Sequence, residues 1–331
     1  MMIGAGDEVT EDDRLYIANV LADRSIKLAV PARYHQVTSP AEAPAGGSAS
    51  ERTTVVRVSS PSVLTRARES LRFRARKQVV RVVTGPVTSA LRKRAAKATR
   101  VEGVTIITVN FNTLPYLKVM VEGVRRHSPK GVRIMVVDNA SSDGTAAWAR
   151  QQPGVRLIHL PINLGHGPAM DIGILLCETT NFVAMDVDAF PLTAGWLDEV
   201  VGPIGDDCHV SGAELQWEHI QPYVHACCLA MRTSRFVEKG HTFRSGPTWD
   251  TAQRISQIEY PAIHTIPATQ SRGPVAVGTV FGDNLIYHNF YSARFKTTAV
   301  NSLDEDVRRG DPELAWAEAI QKYFPGLAPD A

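Results

Sequence analysis

Four short runs of apolar, largely β-branched residues constrain this chain more than any other feature. VTIITV at 104–109, VRIMVV at 132–137, VRLIHL at 155–160 and FVAMDV at 182–187 each have the texture of a strand buried on both faces. Between them lie segments of helical character. One opens at Pro115, where a first-turn proline suits a helix, and the others span DGTAAWARQQ (143–152) and PAMDIGILLCE (168–178). Strand and helix alternating in this way predict βαβ units, hence an α/β fold with a mostly parallel sheet flanked by helices. Ligands of such sheets gather beyond the carboxyl ends of the strands. There the chain turns polar: Asn110, Phe111 and Asn112 follow the first strand, Asp138 and Asn139 the second, Asn163, Leu164 and Gly165 the third, and Asp186 and Asp188 close the fourth.

The last pair asks for an explanation, because a buried carboxylate is costly unless its charge is compensated. Residues two apart at a strand end point to the same side, so Asp186 and Asp188 could face one ligand. Two hard oxygen donors suit Mg²⁺ or Mn²⁺, and such an ion would also bridge a diphosphate. On the residues alone, a pair of solvated turn carboxylates is the plainer explanation, since a lone D-x-D often arises by chance. Asp138 and Asn139 could likewise make an Asx-turn, with Ser142 or Asp143 capping the next helix. Gly165 and Gly167 suit close backbone approach; a phosphate cradle is disfavoured, because neither GxxxxGK[ST] nor a strand-linked GxGxxG is present.

Together, 104-VTIITVNFN-112, 134-IMVVDNASSDGT-145, 163-NLGHGPAMDIGI-174 and 182-FVAMDVDAFPLTAGWL-197 resemble, in order and spacing, the nucleotide-sugar half of GT-A fold, family 2 glycosyltransferases. The resemblance implies a GT-A, Rossmann-like domain over 101–300, with the nucleotide-sugar half at 101–198 and the acceptor half at 199–300. It implies sugar transfer with inversion from a nucleoside diphosphate donor, UDP ahead of dTDP or GDP. The acceptor, whether glycan, lipid-linked or small molecule, stays unnamed. On this resemblance the backbone around Thr108, Val109 and Asn110 holds the base and Asp138 hydrogen-bonds it. Asn163, Leu164 and Gly165 lie near base and ribose, Asp186 approaches ribose or metal, and Asp188 binds the Mn²⁺ or Mg²⁺. Asp171 stands where many relatives carry asparagine.

In the acceptor half the resemblance points to a carboxylate opening a helix as the base that takes the acceptor's proton. Asp250 in 249-WDTAQRI-255 matches that place, with Trp249 where relatives often have glutamate; its plain reading is a helix N-cap. Glu214, Glu218 and Asp283 are rival carboxylates. A late histidine often completes the metal site of GT-A enzymes, and His288 in the strand-like NLIYHNFYSARF (284–295) matches it. Arg294 would then meet a diphosphate oxygen. His219 and His225 read as acceptor-side or structural, and Cys227 and Cys228 as core filling.

Outside this region charge is the main signal. The chain has 36 basic and 34 acidic side chains, yet twelve of the basic ones fall between Arg66 and Arg100, where Glu69 is the sole acid. A basic arm, 61–100, therefore precedes a net acidic body. SVLTRARESLRFRARKQVVRVV and VTSALRKRAAKA read as two helices broken at Gly85-Pro86. They could lie on an anionic membrane surface through residues 62–99, dock on the acidic body, or stay solvated. Nucleic acid is not expected, since Phe73 alone interleaves the charges. Residues 1–60 include the linker-like SPAEAPAGGSAS and read as loosely structured, apart from a short helix near 11–24; 301–331 reads as a helical tail. Four cysteines without CxxC spacing, an acidic start unlike a signal peptide, and no long apolar run suggest a cytoplasmic protein, at most peripheral at the inner face of the membrane. Two rival readings remain: a non-catalytic sugar-nucleotide-binding or membrane-surface scaffold, and a nucleotidyltransferase. The retained Asp186, Asp188 and Asp250 speak against the first, and NFNTLPY in place of a glycine-rich basic loop against the second.

Overall fold

The computed structural model describes residues 84–215, 222–246, 250–272, 277–290 and 311–327. The readings made above for 1–83, and those for Glu218, His219, Trp249 and Arg294, lie outside the described residues. A helix over 84–95 (α1) leads into β1 (Val101–Asn110), α2 (Leu114–His127), β2 (Arg133–Asp138), α3 (Thr145–Arg150) and β3 (Val155–His159). Then come α4 (His166–Leu175), β4 (Thr179–Met185), β5 (Ala189–Pro191), α5 (Trp196–Val201), β6 (Val210–Leu215), β7 (Tyr223–Arg232) and α6 (Thr233–Glu238). The chain continues through α7 (Gln253–Glu259), β8 (Ile263–Ile266), β9 (Ala268–Arg272), β10 (Val277–Phe281), β11 (Ile286–His288) and α8 (Pro312–Tyr323).

Seven strands form the central sheet in the order β3-β2-β1-β4-β7-β6-β8. The pairs β1·β2, β1·β4, β2·β3 and β6·β8 are parallel, and β7 runs antiparallel to both β4 and β6. The period of two in β1 divides its side chains between two cores. Ile107 and Val109 face α4, while Ile106 faces α2 with Leu117 and Met120. Gly173 lets α4 settle on the sheet: a Cβ there would stand 2.8 Å from Ile107 Cγ2 and 2.9 Å from Val137 Cγ2.

The second basic helix is part of this core. Val87, Leu91 and Ala95, spaced to share one helical face, are all buried in the α4-side core. Burying the valine and leucine alone is worth about 1.5–3 kcal/mol each. Arg92, from the same helix, donates to the carbonyls of Phe236 (2.9 Å), Val237 (3.0 Å) and His241 (2.6 Å), and so ties α1 to the end of α6 and the turn that follows it. Of the arm readings, docking on the body describes residues 84–95, and the packed unit begins before residue 101.

A second, antiparallel sheet runs β5-β11-β10-β9. Against it α8 lays Trp316, Ala319 and Ile320, which join Phe190, Tyr287 and Phe324 in a third cluster. Of the strand expected at 284–295, the described part, 284–290, holds the three-residue β11, because the turn before it and Phe290 after it (φ 54°) interrupt the extended run there.

Candidate active site

Parallel register sets the strand ends in a row: Asn110 opposite Asp138, and Asp138 opposite His159. Asn110 is buried and bound internally. Its Nδ2 donates to Thr145 Oγ1 (2.8 Å) and its Oδ1 accepts from Thr113 Oγ1 (2.7 Å), fastening β1 to the starts of α2 and α3. Thr108 and Val109 are buried as well, so what these three residues bring to the edge is backbone. Asp138 Oδ1 accepts from Ser141 N (3.1 Å), one residue beyond the reach of an Asx-turn, and Oδ2 shares a hydrogen bond with His159 Nδ1 (2.8 Å). Each carboxylate oxygen keeps further acceptor capacity.

The SSDG segment makes a clasp and no side-chain cap. The residue capping α3 is Gly144 (φ 88°), with no side-chain bond. Asp143 instead accepts from Thr145 N and Oγ1 through Oδ1, and from Leu114 N through Oδ2 at 2.9 Å, so one carboxylate satisfies donors at two helix starts. Asn139 and Asn163 join the second and third strand ends, through Asn139 Nδ2 to Asn163 Oδ1 (3.1 Å) and Leu164 N to Asn139 Oδ1 (2.8 Å). Gly165 (φ 85°) then turns the chain into α4. Gly167 is needed for close approach: a Cβ there would lie 2.5 Å from Phe243 O. Phe111 stands at this edge, 42% exposed.

At the centre of the sheet Asp186, Asp188 and His288 converge, with one donor atom from each lying within 4.8 Å of the others. His288 Nε2 is 3.1 Å from Asp188 Oδ1 and 3.6 Å from Asp186 Oδ2. The convergence follows from topology. After β4 the chain turns at Asp186 into β5, and β5 pairs with β11 so that Ala189 faces His288; Asn289 N donates to Asp188 O (3.0 Å). His166, the first residue of α4, places Nε2 3.4 Å from Asp186 Oδ1. Burial raises the pKa of Asp186, the nearby His166 and His288 oppose this, and the charges of Asp188 and Asp250 add to it. A divalent cation would relieve the same strain, and two carboxylates with an imidazole are a donor set that Mn²⁺ or Mg²⁺ accepts. His288 Nδ1, buried without a hydrogen-bond partner, fits a ring held through its other nitrogen.

A softer set, His225, Cys227 and His288, lies beside the first and shares its histidine. His225 Nδ1 accepts from Cys227 N (3.1 Å), which ties that ring to the strand. Cys227 and Cys228 are buried, and burial with the charge of Asp186 pushes both thiols up, so they behave as core. All four cysteines are free, with Cys208 partly exposed.

Asp250 is partly exposed, and its charge reaches Asp186. It does not cap the helix. Ala252 (φ 64°) holds that position without a side-chain bond, while Asp250 Oδ1 turns to Thr251 N (2.7 Å) and Gln253 Oε1 accepts from Asp250 N (2.8 Å). Among the rivals, Glu214 accepts from Thr265 Oγ1 (2.6 Å) and Asp283 is exposed in the turn before β11. Asp171 is buried and accepts hydrogen bonds from Thr242 Oγ1 and Phe243 N. Sequence reasoning missed His166. Its one signal was a histidine directly after the glycine that ends the third strand's loop.

Residues 105–217 match the family model described as glycosyl transferase family 2. No curated protein matches the chain. Among solved structures, a mannosyltransferase from Pyrobaculum calidifontis in complex with GDP-Man and Mn²⁺ is 18% identical over 58% of this chain and 66% of its own, with a TM-score of 0.42. TarS from S. aureus in complex with UDP-GlcNAc is 16% identical over 44% and 49%, with a TM-score of 0.36. Glucosyl-3-phosphoglycerate synthase from Mycobacterium tuberculosis in complex with phosphoglyceric acid is 14% identical over 54% and 73%, with a TM-score of 0.40. The chain thus spans from about half to under two thirds of the length of the first two. With its mixed, mostly parallel sheet flanked by helices, the chain is similar, over residues 105–217, to glycosyl transferase family 2.

Proposed function

We propose that this chain is a divalent-cation-dependent glycosyltransferase that moves a sugar, with inversion, from a nucleoside diphosphate donor to an acceptor. UDP is the nucleotide favoured. The observation that carries the reading is the meeting of Asp186, Asp188 and His288 at the carboxyl edge of the sheet. These three residues would hold the cation, which supplies charge neutralisation for the departing diphosphate. Asp138 and the backbone beside Asn110 would receive the base, with the Phe111 ring free to stack on it, and Asn163 and Gly165 would border the ribose. Arg294, outside the described residues, is retained as a diphosphate contact.

Asp250 is the proposed general base. The acceptor oxygen forms a bond to the anomeric carbon as the bond from that carbon to the diphosphate oxygen breaks, and the acceptor's proton passes to the Asp250 carboxylate. Attack from the face opposite the leaving group inverts the anomeric centre. The proximity of Asp250 to Asp186, felt as charge, supports this assignment. Among the described residues no helix is long and apolar enough to cross a membrane, and cytoplasmic, peripheral action remains part of the proposal.

The test is a panel of nucleotide sugars with Mn²⁺, read by thermal shift and by release of nucleoside diphosphate. A shift and turnover with at least one donor are expected, turnover being lost in Asp250→Asn while the shift persists. A panel that neither stabilises the protein nor is consumed would overturn the reading.

A further inference from the structure

Asp171 is a buried carboxylate on α4 that the proposed reaction does not use. Two hydrogen-bond donors and two guanidinium groups meet it there, against the cost of its burial. Oδ1 accepts from Phe243 N (2.7 Å) and Oδ2 from Thr242 Oγ1 (2.5 Å), and Arg244 Nε lies 3.6 Å from Oδ2. Arg92 on α1 adds a second attracting charge; with Arg244, these are the charged groups facing Asp171 among the described residues. Arg244 is itself held, its Nη2 donating to Thr84 Oγ1 (2.7 Å) and its backbone N–H to Thr242 Oγ1 (3.2 Å). The first turn of α4 abuts the same segment at Gly167, where no side chain fits against Phe243 O. Residues 242–244 are therefore clamped between α4 and α1.

That segment leads toward Asp250. Beyond Asp250, α7 is fixed in turn: Ser256 Oγ accepts from Val224 N (3.0 Å), and Glu259 pairs with Arg235 and His241. Asp250 thus lies between two anchors, and in the upstream one the Asp171 carboxylate binds Thr242 and Phe243 while Arg244 reaches Thr84 and Arg92 holds the His241 carbonyl. Asparagine would not replace that carboxylate. Its oxygen could take the Phe243 N–H, but its amide would confront Arg244 and a Thr242 hydroxyl that already accepts from Arg244 N.

We propose that Asp171 is a positioning residue, whose carboxylate clasps Thr242 to Arg244 and thereby sets where Asp250 stands relative to Asp186 and Asp188. The catalytic consequence rests on the glycosyltransferase reading; the clasp itself does not. Burial, opposed by Thr242, Phe243, Arg244 and Arg92, holds the Asp171 pKa up at about 6, so the clasp carries its charge at neutral pH.

The experiment compares the full chain with Asp171→Asn and Thr242→Val by amide hydrogen exchange, donor binding and kinetics. In Asp171→Asn, exchange across 241–246 should rise about 10-fold while the β1 and β2 amides stay unchanged. Calorimetric binding of UDP with Mn²⁺ should stay within about 2-fold, and kcat should fall about 10–100-fold with the wild-type acid limb near pH 6 removed. Thr242→Val, which takes away one clasp donor, should show the same pattern in smaller degree and serves should Asp171→Asn not fold. Unchanged exchange in 241–246 overturns the clasp, and raised exchange with unchanged kcat overturns the positioning role. A wild type that binds no nucleotide sugar defeats the glycosyltransferase reading, while the exchange result still decides the clasp.

Discussion

His288 and Asp188 stand one hundred residues apart in the chain and 3.1 Å apart in space. Strand register holds them there, because β11 pairs with β5 directly after the Asp188 turn. A donor set fixed this way loses affinity when one member changes. Asp188→Asn and His288→Gln should each weaken Mn²⁺ binding about 100-fold, near 3 kcal/mol, in titration calorimetry of the full chain. Wild-type affinity in both variants would remove the cation from the site.

Two buried carboxylates should tilt stability against pH in opposite senses. Burial raises Asp171 from 3.8 to about 6, so the folded chain keeps a proton that the unfolded chain has lost. Stability on its account falls as pH rises from about 4 to 6, by up to about 3 kcal/mol. For Glu259, burial also pushes upward, but the hydrogen bonds from Arg235 and His241 prevail and bring it from 4.5 to about 2. Its contribution is complete above pH 4.5 and disappears as pH falls toward 2, again by about 3 kcal/mol. Urea unfolding across this range should show Asp171→Asn flattening the upper slope and Glu259→Gln the lower. Slopes identical to wild type would refute the assignments.

The exposed Phe111 ring offers a stacking face beside Asn112. Stacking of a base on an aromatic ring is worth about 1–3 kcal/mol, so Phe111→Ala should raise the donor's Kd about 10–100-fold. Phe111→Tyr should restore it. An alanine variant that binds UDP as tightly as wild type would place the base elsewhere.

Asn289 ties the neighbourhood of His288 to α8. Its Nδ2 donates to Pro312 O (2.9 Å) and its Oδ1 accepts from Tyr287 Oη (2.7 Å), all of it buried. Asn289→Ala should cost about 2–3 kcal/mol, because it strands buried polar partners. Trp316→Ala should cost about 3–5 kcal/mol, through the cavity it leaves under the second sheet. Both act on the same helix, so the double variant should lose less than the sum of the two. Strict additivity in urea would show that α8 is not held as one unit.

The parallel half of the sheet was legible because its strands are continuous apolar runs, and the polar residues at their ends mark one edge of it. β1 begins at Val101, ahead of the apolar run, since its first residues are exposed and carry no signal. Residues 84–95 showed mainly their arginines and lysines; the buried stripe of Val87, Leu91 and Ala95 was present but weaker than the charge. Resemblance alone pointed to His288 as a neighbour of Asp186 and Asp188, for nothing local in its segment reveals that β11 pairs with β5. The cap expected at Asp250 failed because Ala252 takes a left-handed conformation that residue type does not announce. His166 was passed over because one histidine at a helix start has no periodic partner.

The antiparallel pairing of β7 with β4 has a practical corollary for anyone trimming the gene. β7 begins after residue 217, where the family match stops, yet it covers the flank of β4 opposite β1. A fragment cut at that boundary would leave β4 with a naked row of amides and carbonyls in the middle of what was a sheet. Such an edge invites self-association, so the matched segment is half a folding unit and should be expressed only together with β7 and the elements downstream of it.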